Sequence, residues 1–193
     1  MALRPFIKYR FFNSFFTGLS IGSIFIIYAP LQPSVYSLGG VFLALSMLLI
    51  AKFYSRIMNL RCFYLISMGV ELVMLILVLY FLLFSYSYKT ALFMYIGYQA
   101  TFAFGSYLVR AETILVIKSE ALTLIDVSRQ KGYLAGMIVS YLFYKTIEGP
   151  FGITQNGSQV YILHYLLFAV EIITIMYLAK AFRRSGRNID ELY

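Results

Sequence analysis

Six apolar segments constrain this 193-residue chain more than any other feature; they run approximately over residues 11–29, 37–57, 62–84, 90–113, 124–147 and 159–181. Each is close to the roughly 20 residues that a helix needs to cross the hydrocarbon of a bilayer. In lipid a backbone group left without a partner is costly, so each segment is predicted to be a helix. Strands of a barrel would be shorter and would alternate apolar with polar residues, and these runs do not. Composition agrees: 61% of residues are hydrophobic and 12% are charged, against about 25% charged in soluble domains. The expectation is an all-α polytopic membrane protein: one domain over residues 1–193 with six transmembrane helices and the lipid bilayer as its surroundings.

The net charge of +8 raises the question of a nucleic-acid partner, and the placement of the cations answers it. Arg4, Lys8 and Arg10 precede the first segment, and Lys52, Arg56 and Arg61 join the second to the third. Arg110, Lys118, Arg129 and Lys131 join the fourth to the fifth, and Lys180, Arg183, Arg184 and Arg187 follow the sixth. Only Lys89 and Lys145 fall in the alternate joints. Fourteen of the sixteen Lys and Arg residues thus gather on one side of a six-span threading. The positive-inside rule then places both termini in the cytoplasm, with a bacterial inner (plasma) membrane as the expected location. The basic tail reads as an orientation signal in contact with anionic lipid, not as a nucleic-acid site. The basic, then apolar N-terminus has no small-residue cleavage site and reads as an uncleaved first span. The lone Cys62 has no second cysteine to pair with.

Small residues recur at four-residue spacing: Ser14, Gly18 and Gly22 in the first span, Gly97, Thr101 and Gly105 in the fourth, Gly132, Gly136 and Ser140 in the fifth. The second has Gly40 and Ala44. Such stripes let helices approach closely. They predict a tight centre of spans one, two, four and five, with three and six outside. Generic packing is the plainer reading. Spans three and six resemble each other: "MGVELVMLI" (68–76) aligns without gaps on "FAVEIITIM" (168–176). The offset of three spans makes any repeat an inverted 3+3 arrangement, as in secondary transporters. Chance likeness between two apolar runs is the alternative.

Glu71 interrupts "SMGVELVMLILVLYFLLF" (67–84) about ten residues into its segment, at a depth of ~15 Å. Glu171 lies comparably deep in the last segment. A charge at such depth costs at least ~2.5–3.5 kcal/mol. A carboxyl there is either protonated and hydrogen-bonded to a neighbouring helix, or it holds and releases a proton as proton coupling requires. His164, the only histidine, is seven residues before Glu171 on the same helical face. It is either an interfacial amphipath or part of a proton relay with Glu71 and Glu171. Arg110 and Glu112 are two residues apart and need partners from other elements, whereas Asp126 and Arg129 are spaced to pair. These groups suit either a cytoplasmic gate of charge pairs or a solvated helix end. No serine-nucleophile motif, phosphate-binding loop, multi-Asp cluster or zinc-ligand set is legible, so neither catalysis nor a cofactor or metal is expected.

Six spans, cytoplasmic termini and small-residue helices one, two, four and five resemble one half of a major facilitator superfamily transporter. That family's signature between spans two and three is Gly-x-x-x-Asp-Arg-x-Gly-Arg-Arg, and the matching place here is "AKFYSRIMNLR" (51–61). Arg56 fits the signature arginine; Ala51, Ser55 and Met58 replace its Gly, Asp and second Gly. Arg110 is similar to the family's arginine near the cytoplasmic end of span four. Gly149-Pro150 comes at the outer end of span five, not where antiporters carry Gly-Pro. The resemblance implies a half-size member or half of a longer one, working as a parallel homodimer or with a second six-helix half. It implies that spans one and four line a path for a small solute, with Asn13, Tyr98 and Gln99 as binding residues and Arg56 joining Arg110, Glu112 and Asp126 in the gate. The rival function is a non-transporting scaffold or accessory subunit, favoured by the half size and the altered signature.

Overall fold

The computed structural model describes residues 1–84, 86–116 and 118–183. The tail cations Arg184 and Arg187 lie outside them. The described residues form eight helices: α1 (Leu3–Tyr28), α2 (Pro33–Lys52), α3 (Tyr54–Ile57), α4 (Leu60–Leu83), α5 (Tyr88–Ala103), α6 (Gly105–Leu115), α7 (Ser119–Glu148) and α8 (Asn156–Arg183). No strand occurs among them.

Local chemistry sets the boundaries. Pro33 opens α2, where its missing N–H costs nothing. Asn59 caps α4 by accepting from the Cys62 amide at 2.9 Å, and Ser87 caps α5 by accepting from the Thr90 amide at 3.2 Å. The segment expected to be one span over 90–113 is broken in two. The Thr101 hydroxyl donates to the Tyr98 carbonyl at 2.8 Å, a back-bond that bends helices. The Phe104 amide then closes on the Thr101 carbonyl at 3.2 Å, and α6 starts at Gly105.

Four helices are long and apolar enough to cross a membrane: α1, α2, α4 and α8. This makes the protein a membrane-embedded helical bundle and narrows the six-span expectation. The break leaves α5 only 16 residues. At 30 residues α7 is long enough, but its first half carries Glu120, Asp126, Arg129 and Lys131.

The expected centre is corrected by the packing. α1 lies against both α7 and α8, and α8 lies against α4. α2 has no buried residue, and Gly40 has no heavy atom within contact of its open side. Spans three and six (α4 and α8) are therefore central and span two is peripheral. The small-residue stripe reported close approach, not centrality. It holds where α1 meets α7: a Cβ added at Gly132 would collide with the Phe11 carbonyl, and one at Gly136 with that of Phe15. α4 and α8 instead interlock large side chains at three- and four-residue spacing, Leu77, Val78 and Phe81 against Leu163, Leu167 and Val170.

The chain begins and α8 ends at the same end of the bundle, where the Ala2 amide donates to the Ala181 carbonyl at 2.8 Å. α4 and α8 run antiparallel: Phe63 meets Phe182 at one end and Phe81 meets His164 at the other. Between those ends lie Glu71 and Glu171.

Candidate functional site

On α4 the buried stripe is Phe63, Ser67, Glu71, Met74, Leu77, Val78 and Phe81. On α8 it includes Leu167, Val170, Glu171, Thr174 and Leu178. Each glutamate takes the place an aliphatic residue would hold at the α4–α8 seam, and each is 1% exposed. Their carboxyl groups are hydrogen-bonding partners of one another. A hydrogen bond between two carboxyl groups requires a proton on one of them.

α1 supplies the donors. Tyr9 Oη donates to Glu71 Oε1 at 2.7 Å and Asn13 Nδ2 donates to the same oxygen at 2.9 Å. Tyr9 and Asn13 are four residues apart, on one face of the helix. Glu71 is therefore fully engaged, whereas Oε1 of Glu171 is buried without a hydrogen-bond partner among the described residues.

Arg10, next to Tyr9, turns to a second polar centre. Its Nε lies 2.8 Å from Glu112 Oε2 on α6. Glu112 also has Arg129 Nη1 of α7 at 4.0 Å, and Arg129 reaches Asp126 at 3.1 Å. Arg10 and Glu112 are 8% and 4% exposed; the Asp126 side chain is 66% exposed. The chain of charges joins α1, α6 and α7 near the end of the bundle that holds the N-terminus, and its charges cancel.

Asn13 and Tyr98 face a common cleft of about 220 Å³ between α1, α4, α5 and α6, which Glu71, Tyr9, Arg10 and Thr101 also line. Gln99 does not line it: one residue beyond Tyr98, it projects about 100° away on the helix. Of the three expected binding residues, the cleft brings together Asn13 and Tyr98.

The expected gate is likewise divided. Glu112 and Asp126 belong to one network through Arg129. Arg110 points elsewhere, its guanidinium over the Tyr54 ring of α3 at 5.6 Å. Arg56 is exposed on α3 and, among the described residues, makes no ion pair; its carbonyl accepts from Asn59 Nδ2 at 3.0 Å.

His164 is buried, not interfacial. Its Nδ1 hydrogen-bonds the Val160 carbonyl at 2.7 Å and its ring stacks on Phe81 at 4.0 Å. No hydrogen bond among the described residues joins it to Glu171, so a His–Glu ladder is not formed.

Sequence reasoning missed Tyr9 and Arg10 as parts of these centres, whereas the Asp126–Arg129 pair was legible in its spacing. Tyr9 had a signal in its four-residue spacing to Asn13. Arg10 was counted only as an orienting cation, and nothing local marks a cation that will be buried against a distant helix. Set against family models, curated proteins and solved structures, the chain matches none at a significant level.

Proposed function

We propose that this chain is a membrane transport protein of half size: a secondary transporter of a small solute, similar in plan to one half of a major facilitator, that works as a homodimer or with a second six-helix half and couples transport to protons at Glu71 and Glu171. The single observation that carries the reading is that the two glutamates, equivalent by sequence across three spans, touch each other. An in-plane two-fold axis relating inverted repeats must, where it crosses a helix pair, bring equivalent residues together.

The flanking contacts support the same exchange to within one residue. Phe81 and His164, ten residues after Glu71 and seven before Glu171, stack at one end. Tyr64 and Phe182, seven before Glu71 and eleven after Glu171, meet tilted at the other with ring centroids 4.7 Å apart. Helix pairings follow it too when α1, α2 and α4 are exchanged with α5–α6, α7 and α8. The α1–α7 pairing then matches α5–α2, and α1–α8 matches α5–α4. The meeting of the N-terminus with the end of α8 fits an even number of crossings.

The bare face of α2 exposes Leu38, Phe42, Leu45 and Leu49, an apolar surface that suits lipid and a second helical body alike. Copurification decides what covers it: a second copy of this chain fits the transporter, a stoichiometric unrelated subunit fits the scaffold reading. The test of transport is uptake of solutes into proteoliposomes driven by an imposed pH gradient. Uptake abolished by E71Q and by E171Q supports proton coupling. Uptake that ignores both substitutions removes the carboxyls from the mechanism.

A further inference from the structure

Resting on that transport reading, we propose that the cleft between α1, α4, α5 and α6 binds a small organic ammonium ion, seated against Glu71 and the aromatic rings of Tyr9, Phe16, Tyr98 and Phe102, and that its positive charge takes the place of a proton held by Glu71 and Glu171.

The charge balance points to a cation. Four charged groups, Arg10, Glu112, Arg129 and Asp126, form one chain through contacts of 2.8, 4.0 and 3.1 Å, and they cancel. Glu71 and Glu171 have no cation of their own. The titratable and charged groups that face them are Tyr9 and Arg10 from α1 and Tyr98 from α5, and Arg10 is committed to Glu112. Balancing two carboxylates takes two positive charges: two protons, or one proton and a cation arriving through the cleft. An anion or a neutral solute cannot supply one.

The walls suit the same ligand. Four aromatic rings line the cleft beside one carboxyl, the combination that holds quaternary and alkylated ammonium groups through ring faces. Asn13 gives its N–H to Glu71, which leaves its carbonyl oxygen to accept an ammonium N–H. Arg10 also lines the cleft, and Glu112, 2.8 Å from its Nε, offsets the repulsion. At about 220 Å³ the space lies below the roughly 300–1,000 Å³ of sites for drug-sized ligands. The occupant is accordingly a small amine.

In the proposed exchange no covalent bond other than O–H is broken: one proton leaves a glutamate for water as one positive charge enters. The buried charge stays constant, which avoids an uncompensated ion at this depth.

The test uses the full chain in lipid nanodiscs, with choline and ethanolamine as probes and 3,3-dimethyl-1-butanol as the neutral isostere of choline. Empty nanodiscs correct for lipid uptake. Equilibrium dialysis is expected to show choline or ethanolamine binding at least tenfold tighter than the alcohol, with about one proton released per cation in weakly buffered solution. E71Q and Tyr98→Leu should each weaken binding at least tenfold, while E120Q, far from the cleft, should not. Should E71Q fail to assemble, Tyr98→Leu decides alone. Equal binding of cation and alcohol, no binding of either cation, or wild-type binding in the cleft variants overturns the proposal. Cation binding with no flux in proteoliposomes would keep the site and remove transport. Flux of another solute with no cation binding would keep transport and remove the site.

Discussion

Arg10 and Glu112 offer a quantitative test of how the bundle is held. They sit 2.8 Å apart with almost no exposure. Breaking a buried pair by removing one partner costs about 3–5 kcal/mol, because the other charge is left behind. The two single removals should differ. In Arg10→Gln, Glu112 keeps Arg129 at 4.0 Å, an attraction of about 4 kcal/mol at an effective dielectric of 20. Arg129 is 30% exposed, so solvent screens part of this, and the loss should fall near ~3 kcal/mol. In Glu112→Gln, Arg10 loses its only close carboxylate and faces Arg129 with nothing between them, so the loss should approach ~5 kcal/mol. Replacing both, Arg10→Met with Glu112→Leu, should recover most of the deficit, since apolar pairs of similar volume often equal a buried ion pair. The assay is reversible denaturation of the full chain in mild detergent, compared at one protein concentration. Equal losses, or a loss below ~1 kcal/mol in either single variant as for a surface pair, would refute the buried network.

Three further outcomes are expected in the same assay. Gly136→Leu should destabilise by about 3 kcal/mol or more, because the α7 backbone lies against that of α1 there, while Gly40→Ala on bare α2 should stay within about 0.5 kcal/mol. Glu171→Lys should be tolerated, since its lysine meets the Glu71 carboxylate, whereas Glu71→Lys should cost more, because it leaves the Tyr9 and Asn13 donors without an acceptor. The double variant, with two unpaired buried cations, should lose ~3–5 kcal/mol relative to either single one, and double-variant stability equal to the singles would deny that the two residues touch. Asp126→Asn should cost under about 1 kcal/mol, its carboxylate being largely in solvent.

How much of this was legible depended on whether a feature is local. Helix content followed from apolar run length, and the α1–α7 contact was visible as small residues at four-residue spacing. Glu71 and Glu171 were legible as conspicuous polar breaks and as aligned positions, though nothing within either segment reports that they meet. The division at Phe104 was not legible, because a hydroxyl bonding back along the chain, as that of Thr101 does, occurs as readily in unbroken helices such as α1. Tyr98 and Gln99 looked equivalent in sequence; helical rotation alone gives one to the cleft and denies it to the other. Arg56 and Arg110 were read through a family signature whose acid is absent here. The arginine that does pair with Glu112 is Arg10, some hundred residues away.

That pairing has a mechanical consequence. Tyr9 and Asn13 hold the carboxyl at α4, and Arg10, between them on α1, holds α6 through Glu112. Helix α1 is stiff over this single turn, so a rotation or slide that releases Arg10 also withdraws donors from Glu71 Oε1. Separation of α6 from α1 and the hydrogen bonding of Glu71 are thereby linked through one helix, and linkage is reciprocal. Arg10→Gln should consequently alter the pH dependence of any activity assigned to Glu71, although Arg10 makes no direct ion pair with it. A pH profile unchanged in Arg10→Gln, in protein that remains folded, would separate the two centres.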